Sequence, residues 1–186
     1  MINNTVYTIK IADTESEFEQ IHRLNYKTFV KEIPQHHENV SGILIDRFHH
    51  ENTYIVCLEG DKLVGMVAAR GNRPFSLDLK IPNLDSYLPE NINVCEVRLL
   101  VIEKEYRGGY VFYELAKKLI DYCREYNYNY AIISGTTRQQ KLYKHIGFLP
   151  FYHLVGKEGV LYQPMYITVE LLDMGLGKLL NDLEQK

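Results

Sequence analysis

Polar and apolar residues alternate over residues 6–11 (VYTIKI), a β-branched and aromatic run that predicts a strand. Thr14 then stands three residues before Glu17, the spacing of a capping box. Phe18, Ile21, Leu24, Tyr26 and Phe29 follow at mostly helical intervals. That pattern predicts a helix, ended near Pro34 because proline offers no backbone N–H. Val40, Ile43, Leu44 and Phe48 predict a second, short helix within residues 39–48. Two apolar runs, residues 53–58 (TYIVCL) and 63–69 (LVGMVAA), flank the turn Glu59-Gly60-Asp61-Lys62 and predict a hairpin.

Residues 71–91, punctuated by Pro74, Pro82 and Pro89, predict a loop of a length that is usually functional or mobile. Residues 94–102 (VCEVRLLVI) are apolar at almost every position, as a strand near the centre of a sheet should be. A helix over 110–126 follows, with Leu115, Leu119, Ile120 and Tyr122 on one face, then a short strand over 130–134. Thr136 or Thr137 is placed to cap a helix running to His145, with Gly147 as its terminal glycine. Strands over 148–155 and 164–172, joined by a loop with Gly156 and Gly159, lead to a small amphipathic helix carrying Leu176, Leu179, Leu180 and Leu183. No repeat or linker divides the chain. The expectation is one domain over residues 1–186, with a short C-terminal helix at 172–186, in an α/β fold with hairpins in front and βαβ crossovers in the middle.

Composition changes this picture little. The chain has 186 residues, 46% of them hydrophobic and 24% charged, enough to bury a core without staples. Twenty-one Lys and Arg against 24 Asp and Glu give a net charge of -3, which argues against a nucleic-acid partner. No run approaches the length of a membrane span, and no signal or lipidation motif is visible, so a cytoplasmic setting is expected. Of the three cysteines, Cys57 and Cys95 sit in apolar runs and read as buried thiols. The pairs His36-His37 and His49-His50 invite a metal reading. Adjacent histidines converge on one ion less readily than i, i+4 pairs, and no metal is expected.

This order of elements, with three local motifs, resembles the GCN5-related N-acetyltransferase (GNAT) superfamily. The motifs are the central strand with its exit (VCEVRLLVIEKEYRGGYVFYELAKKLIDYCRE), the stretch KLYKHIGF at 141–148, similar to the family's Tyr-x-x-x-Gly-Phe signature, and the closing strand pair. The fold implied is a GNAT-like α/β one, a mixed and mostly antiparallel central sheet flanked by helices. Arg70, then Pro74-Phe75, then Glu96-Val97-Arg98 are similar to the branch that makes acyl-homoserine lactones and N-acyl amino acids, as is YKTFVKEI at 26–33. Two features depart from these patterns. Tyr110 and Phe112 stand in the turn where small residues are typical, and the lactone synthases' usual tryptophan is missing, since the chain has none.

The resemblance implies an acyltransferase whose thioester cosubstrate is acetyl-CoA, a longer acyl-CoA or acyl carrier protein. A loop opening a helix presents free N–H groups and the positive end of the helix dipole, a ready site for a pyrophosphate. That role falls to Arg107, Gly108, Gly109 and Tyr110, with Arg138 and the backbone of Leu100 and Val101 assigned to the same cosubstrate. A plain strand-to-helix turn also favours glycine and is the competing reading. Glu96 is the candidate base and Tyr143 the candidate acid for the leaving thiolate. Glu96 and Arg98 share a strand face, so a structural ion pair competes with catalysis there. Phe29, Arg70, Phe75 and Arg98 are the candidate substrate-binding residues, Arg70 and Arg98 being suited to a carboxylate of the small-molecule amine acceptor, to the carrier's phosphate or to a plain surface pair. A carrier protein would need a basic patch such as Lys104, Arg107, Lys117 and Lys118, and a second copy of the chain stays open as a partner. The alternative function is a non-catalytic binder of an acyl thioester or small ligand on the same fold.

Overall fold

The computed structural model describes residues 6–107, 109–157 and 159–184. Eight strands form one sheet in the order β1-β2-β3-β4-β5-β8-β6, with β7 paired to β8. They are β1 (Tyr7–Ile11), β2 (Thr53–Glu59), β3 (Lys62–Arg70), β4 (Val94–Ile102), β5 (Tyr130–Thr136), β6 (Leu149–Pro150), β7 (Val155–Lys157) and β8 (Val160–Thr168). The helices are α1 (Glu15–Tyr26), α2 (Tyr110–Glu125), α3 (Gln140–Ile146) and α4 (Val169–Glu184). β4 and β5 are parallel, while β1–β2, β5–β8, β6–β8 and β7–β8 are antiparallel. The expected mixed, mostly antiparallel sheet with flanking helices is the fold observed.

Compactness divides the chain into two units, Met1–Ala68 with Leu99–Lys118, and Ala69–Arg98 with Leu119–Lys186. In the first, Ile21 and Leu24 of α1 pack with Tyr54, Val56, Met66, Ala68 and Val101. The capping box forms as expected: Thr14 Oγ1 accepts from the Glu17 amide, and the Glu17 carboxylate accepts from Thr14 N–H. α1 runs on into a turn of π-helix at Lys27–Glu32, a geometry often found at functional sites.

The helix expected within 39–48 does not form. The Asn39 side chain accepts from Ser41 Oγ and the Gly42 amide and donates to Ile43 O, and Gly42 takes a left-handed φ of 64°. These local bonds offer the backbone a turn in place of a helix.

The first unit also holds a histidine cluster. The His22 and His49 rings lie 4.5 Å apart, and His50 stands 5.0 Å from His49. Burial first, and then a neighbouring histidine, lowers the pKa of both His22 and His49 below the ordinary 6.5. The folded chain therefore keeps them neutral while the unfolded chain protonates them below that value. Their contribution is present above pH 6.5 and is lost as pH falls. The thermal midpoint should drop between pH 7.5 and 5.5, and a His22→Gln/His49→Gln double variant should show a shallower drop. An equal slope in both proteins would refute the assignment.

In the second unit the core gathers Phe75, Leu77, Ile81, Leu84, Leu88, Val94 and Ile132. The 71–91 loop is thus a packed cover, pinned by apolar side chains about every three or four residues. The strand expected over 148–155 breaks after Pro150. Gln163 Nε2 donates to Tyr152 O at 2.6 Å, so a side chain bonds the backbone there in place of a ladder. The strand expected over 164–172 runs instead from Val160 to Thr168. Thr168 Oγ1 accepts from Leu171 N–H at 3.1 Å, and Val169, Leu172 and Leu176 are buried at helical spacing, so α4 begins at Val169 rather than at 172.

Candidate active site

The expected strand β4 carries an interruption that pattern reading misses. Leu99 has φ 51°, the left-handed region that costs a branched side chain about 1–2 kcal/mol. Before it, Cys95 faces Cys123 of α2, while Glu96 faces the loop at Ser76. Beyond it, Val101 packs into the core with α1, and Ile102 lies beside Val111 of α2 over Gly65. The positions facing α2 thus change from odd to even, the mark of one extra residue in the strand. The β4–β5 pairing stops close by, at Val97–Ile133.

Glu96 is fully buried. Its Oε1 accepts from Ser76 Oγ at 2.6 Å and Leu77 N at 3.1 Å, and its Oε2 accepts from Ser76 N at 2.8 Å. Arg98 Nε stands 3.7 Å from Oε2. The expected Glu96–Arg98 pairing is present, but the three loop donors are the shorter contacts. Nothing in sequence spacing singles out Ser76, twenty residues away. Arg70, at the end of β3, is 1% exposed, and its Nε donates to Asn72 O. Phe75 is buried in the same unit's core, among Leu77 and Ile81.

Tyr143 lies on α3, which ends where expected: Gly147, with φ 116°, donates to Tyr143 O and Lys144 O. The end before it differs from expectation. A 3₁₀ turn, Thr137–Gln139, precedes α3, and Thr136 makes no backbone cap. The Tyr143 ring turns an edge to Gly135 of β5, where an added Cβ would come within 2.9 Å of two ring carbons. Its hydroxyl donates to Gln139 Oε1 at 2.9 Å. Although the residue is only half-buried by surface, protein around the hydroxyl pushes its pKa up to about 12, so the phenol stays protonated through the neutral range. Arg138, on the 3₁₀ turn, is exposed.

In the first unit, Arg107 does not point its charge freely. Its Nε donates to Ile102 O and its Nη2 to Glu32 Oε2, both at 2.7 Å. Gly108 lies outside the described residues. Gly109 has φ 124°, and its carbonyl accepts the first bond of α2, from Tyr113 N. The Tyr110 ring packs on Tyr7, with centroids 5.6 Å apart. Leu100 is half-buried and Val101 buried. Phe29, in the π-turn, packs on the α1 core. Lys104 and Lys117 are exposed, Lys118 is half-buried, and Arg107 is committed to Glu32.

Sequence reasoning also passed over Asn25 and Lys80. Asn25 is 1% exposed, and among the described residues both polar atoms of its amide lack a hydrogen-bond partner, as does Thr28 Oγ1 one turn further on. The thiols of Cys57, Cys95 and Cys123 are free and buried, and burial pushes Cys57 up to about 11. Among the described residues no cluster of three or more His, Cys, Asp or Glu could hold a metal ion, and no helix is long and apolar enough to cross a membrane.

A mixed sheet whose central strand carries a bulge, followed by a glycine turn and a long helix, defines the acyltransferase type of fold. The chain belongs to the acetyltransferase (GNAT) family, whose sequence profile matches residues 18–148. It is 32% identical over 99 residues to an N-acetylaspartate synthetase of Xenopus tropicalis, a match covering 51% of this chain. The match spans only 30% of that relative's length. In fold it is similar to BjaI, a CoA-dependent acyl-homoserine lactone synthase, at TM-score 0.77 and 17% identity over 94% of this chain and 90% of that one. It is also similar to FeeM, an N-acyl amino acid synthase from uncultured soil microbes, at TM-score 0.70 and 16% identity over 89% and 92%.

Proposed function

We propose that the protein is an N-acyltransferase that moves an acyl group from a thioester, of coenzyme A or of acyl carrier protein, to the amine of a small molecule. The observation that carries the reading is that the second unit holds both an ordered, buried carboxylate, Glu96, and a half-buried phenol kept protonated, Tyr143. The acceptor ammonium loses a proton toward Glu96 through water, and the freed nitrogen attacks the thioester carbon. The attached nitrogen, now cationic, gives its second proton to solvent, the C–S bond breaks as the tetrahedral oxyanion collapses, and the departing thiolate takes up the Tyr143 proton, which solvent replaces.

The turn at 107–110 is assigned to the donor's pyrophosphate through the N–H groups that open α2, with Gly109 allowing close approach. Arg107 acts there by fixing the turn to Ile102 and Glu32 rather than as a free charge. Of the three similar proteins, N-acetylaspartate synthetase and FeeM are named for making N-acyl amino acids, which supports an amino acid as acceptor.

Calorimetric titration with acetyl-CoA, a long-chain acyl-CoA and acyl-loaded carrier protein tests the reading. Saturable binding of one donor, followed by thiol release on adding amines, is expected. No binding of any donor overturns it, and binding without turnover favours the non-catalytic alternative.

A further inference from the structure

Lys80 lies on the packed 71–91 loop, with no part in the chemistry so far. As a residue it is exposed, yet its ammonium end turns back into the protein. Nζ donates to Ser134 Oγ at 3.1 Å and sits 4.5 Å from the centre of the Tyr162 ring. Burial there lowers its pKa, with Glu96 and Arg98 close enough to act on its charge. A charged ammonium has three donors, and among the described residues one is used, on a neutral hydroxyl. Among the described residues no carboxylate forms an ion pair with Lys80. The one carboxylate nearby, Glu96, already accepts three hydrogen bonds and stands beside Arg98.

The place matters as much as the charge. Ser134 shares a face of β5 with Ile132, whose register partner across the sheet is Glu96, and follows Ile133, the last β5 residue paired with β4. Lys80 Nζ therefore lies on the sheet face that carries Glu96, the proposed base, where the Glu96 charge is already shared with Arg98. A cation held partly out of water beside a reaction site is stabilised by an anionic ligand that shares its dry environment. The donor's own phosphates are assigned to the turn at 107–110, which leaves the acceptor as the source of such an anion.

We propose that Lys80, with Arg98, holds the carboxylate of the acceptor, so that the enzyme selects amino acids over simple amines. This rests on the N-acyltransferase reading. It adds a specificity-determining residue that binds the unreacting end of the acceptor while Glu96 serves its nitrogen.

The test measures thiol release from the bound acyl-CoA with the twenty common L-amino acids, and with isoamylamine and phenethylamine, the decarboxylated counterparts of leucine and phenylalanine. At least one amino acid should be turned over far better than the matched amines. Lys80→Met should raise its KM about 10–100-fold with kcat little changed, and Lys80→Arg should restore most of the loss. The KM for the amines should not move. Equal use of amine and amino acid, or a Lys80→Met effect equal on both, overturns the proposal.

If turnover is too slow to follow, titration of the same compounds into the CoA-saturated protein decides. No preference for the carboxylate, or no binding by any amino acid, overturns the proposal as well. Donor binding is read separately, so failure of the acyltransferase reading appears as loss of donor binding, and failure of the Lys80 assignment as loss of carboxylate preference alone.

Discussion

Glu96→Ala is expected to cost both the fold and the reaction. The substitution leaves Ser76 N–H, Ser76 O–H and Leu77 N–H, all in buried residues, without their protein acceptor. Each unpaired buried donor costs about 1–3 kcal/mol, so the three together cost at least about 3 kcal/mol, and a midpoint lower by at least about 6 °C is expected for a chain of this size. Glu96→Gln is no neutral control. Its Oε1 can keep two of the bonds, but its amide nitrogen would face the Ser76 N–H, donor against donor.

Ser76→Ala separates the two roles. It removes only the hydroxyl bond, so the midpoint should fall slightly while turnover persists. If Glu96→Ala melts within a degree or two of the parent, the loop bonds carry no stability. If it retains turnover, Glu96 is not the base.

Tyr143→Phe should lower kcat by about 100-fold while leaving the melting temperature nearly unchanged. The hydroxyl has a single bond, to Gln139 Oε1, and the ring's packing on Gly135 and Phe148 survives its removal. Gly135→Ala approaches the same group from below. Its methyl would meet Cδ2 and Cε2 of the ring at 2.9 Å and push the phenol out of place, so kcat should fall with the hydroxyl still present. A Tyr143→Phe enzyme with unchanged kcat would remove the residue from the mechanism.

The high pKa adds a pH signature. The folded chain keeps the phenol protonated to about 12, whereas the unfolded chain ionises it near 10. Stability from this group is therefore complete below pH 10 and fades as pH rises toward 12, and Tyr143→Phe should flatten that alkaline loss.

Much of the architecture is written in local patterns. The Thr14–Glu17 box, the Gly147 terminus and the apolar run of β4 each rest on contacts within a few residues, and each appears as read. The segments that differ depend on side chains whose choice of partner has no period. Asn39 turns a helical pattern into a loop, and Thr168 starts α4 where the sequence still looks like a strand. Glu96 and Tyr143 were visible as residue types in a motif. Their supports, Ser76 and Gly135, come from other elements and could be found only in three dimensions. Leu99 is the hardest case, because leucine is among the last residues a sequence would assign to a left-handed position.

That single residue also sets how β4 can be engineered. Leu99 behaves like a one-letter insertion in the strand's inside–outside code, with residues 94–98 and 99–102 in different reading frames. A combinatorial library that assumes one frame along the strand would place half its changes on the wrong side. Deleting Leu99, by contrast, would leave Glu96, Val101 and Ile102 on their present faces in an unbroken alternation. The product would be a straightened sibling of this chain, and comparing the two would isolate what the bend alone contributes to acyl transfer.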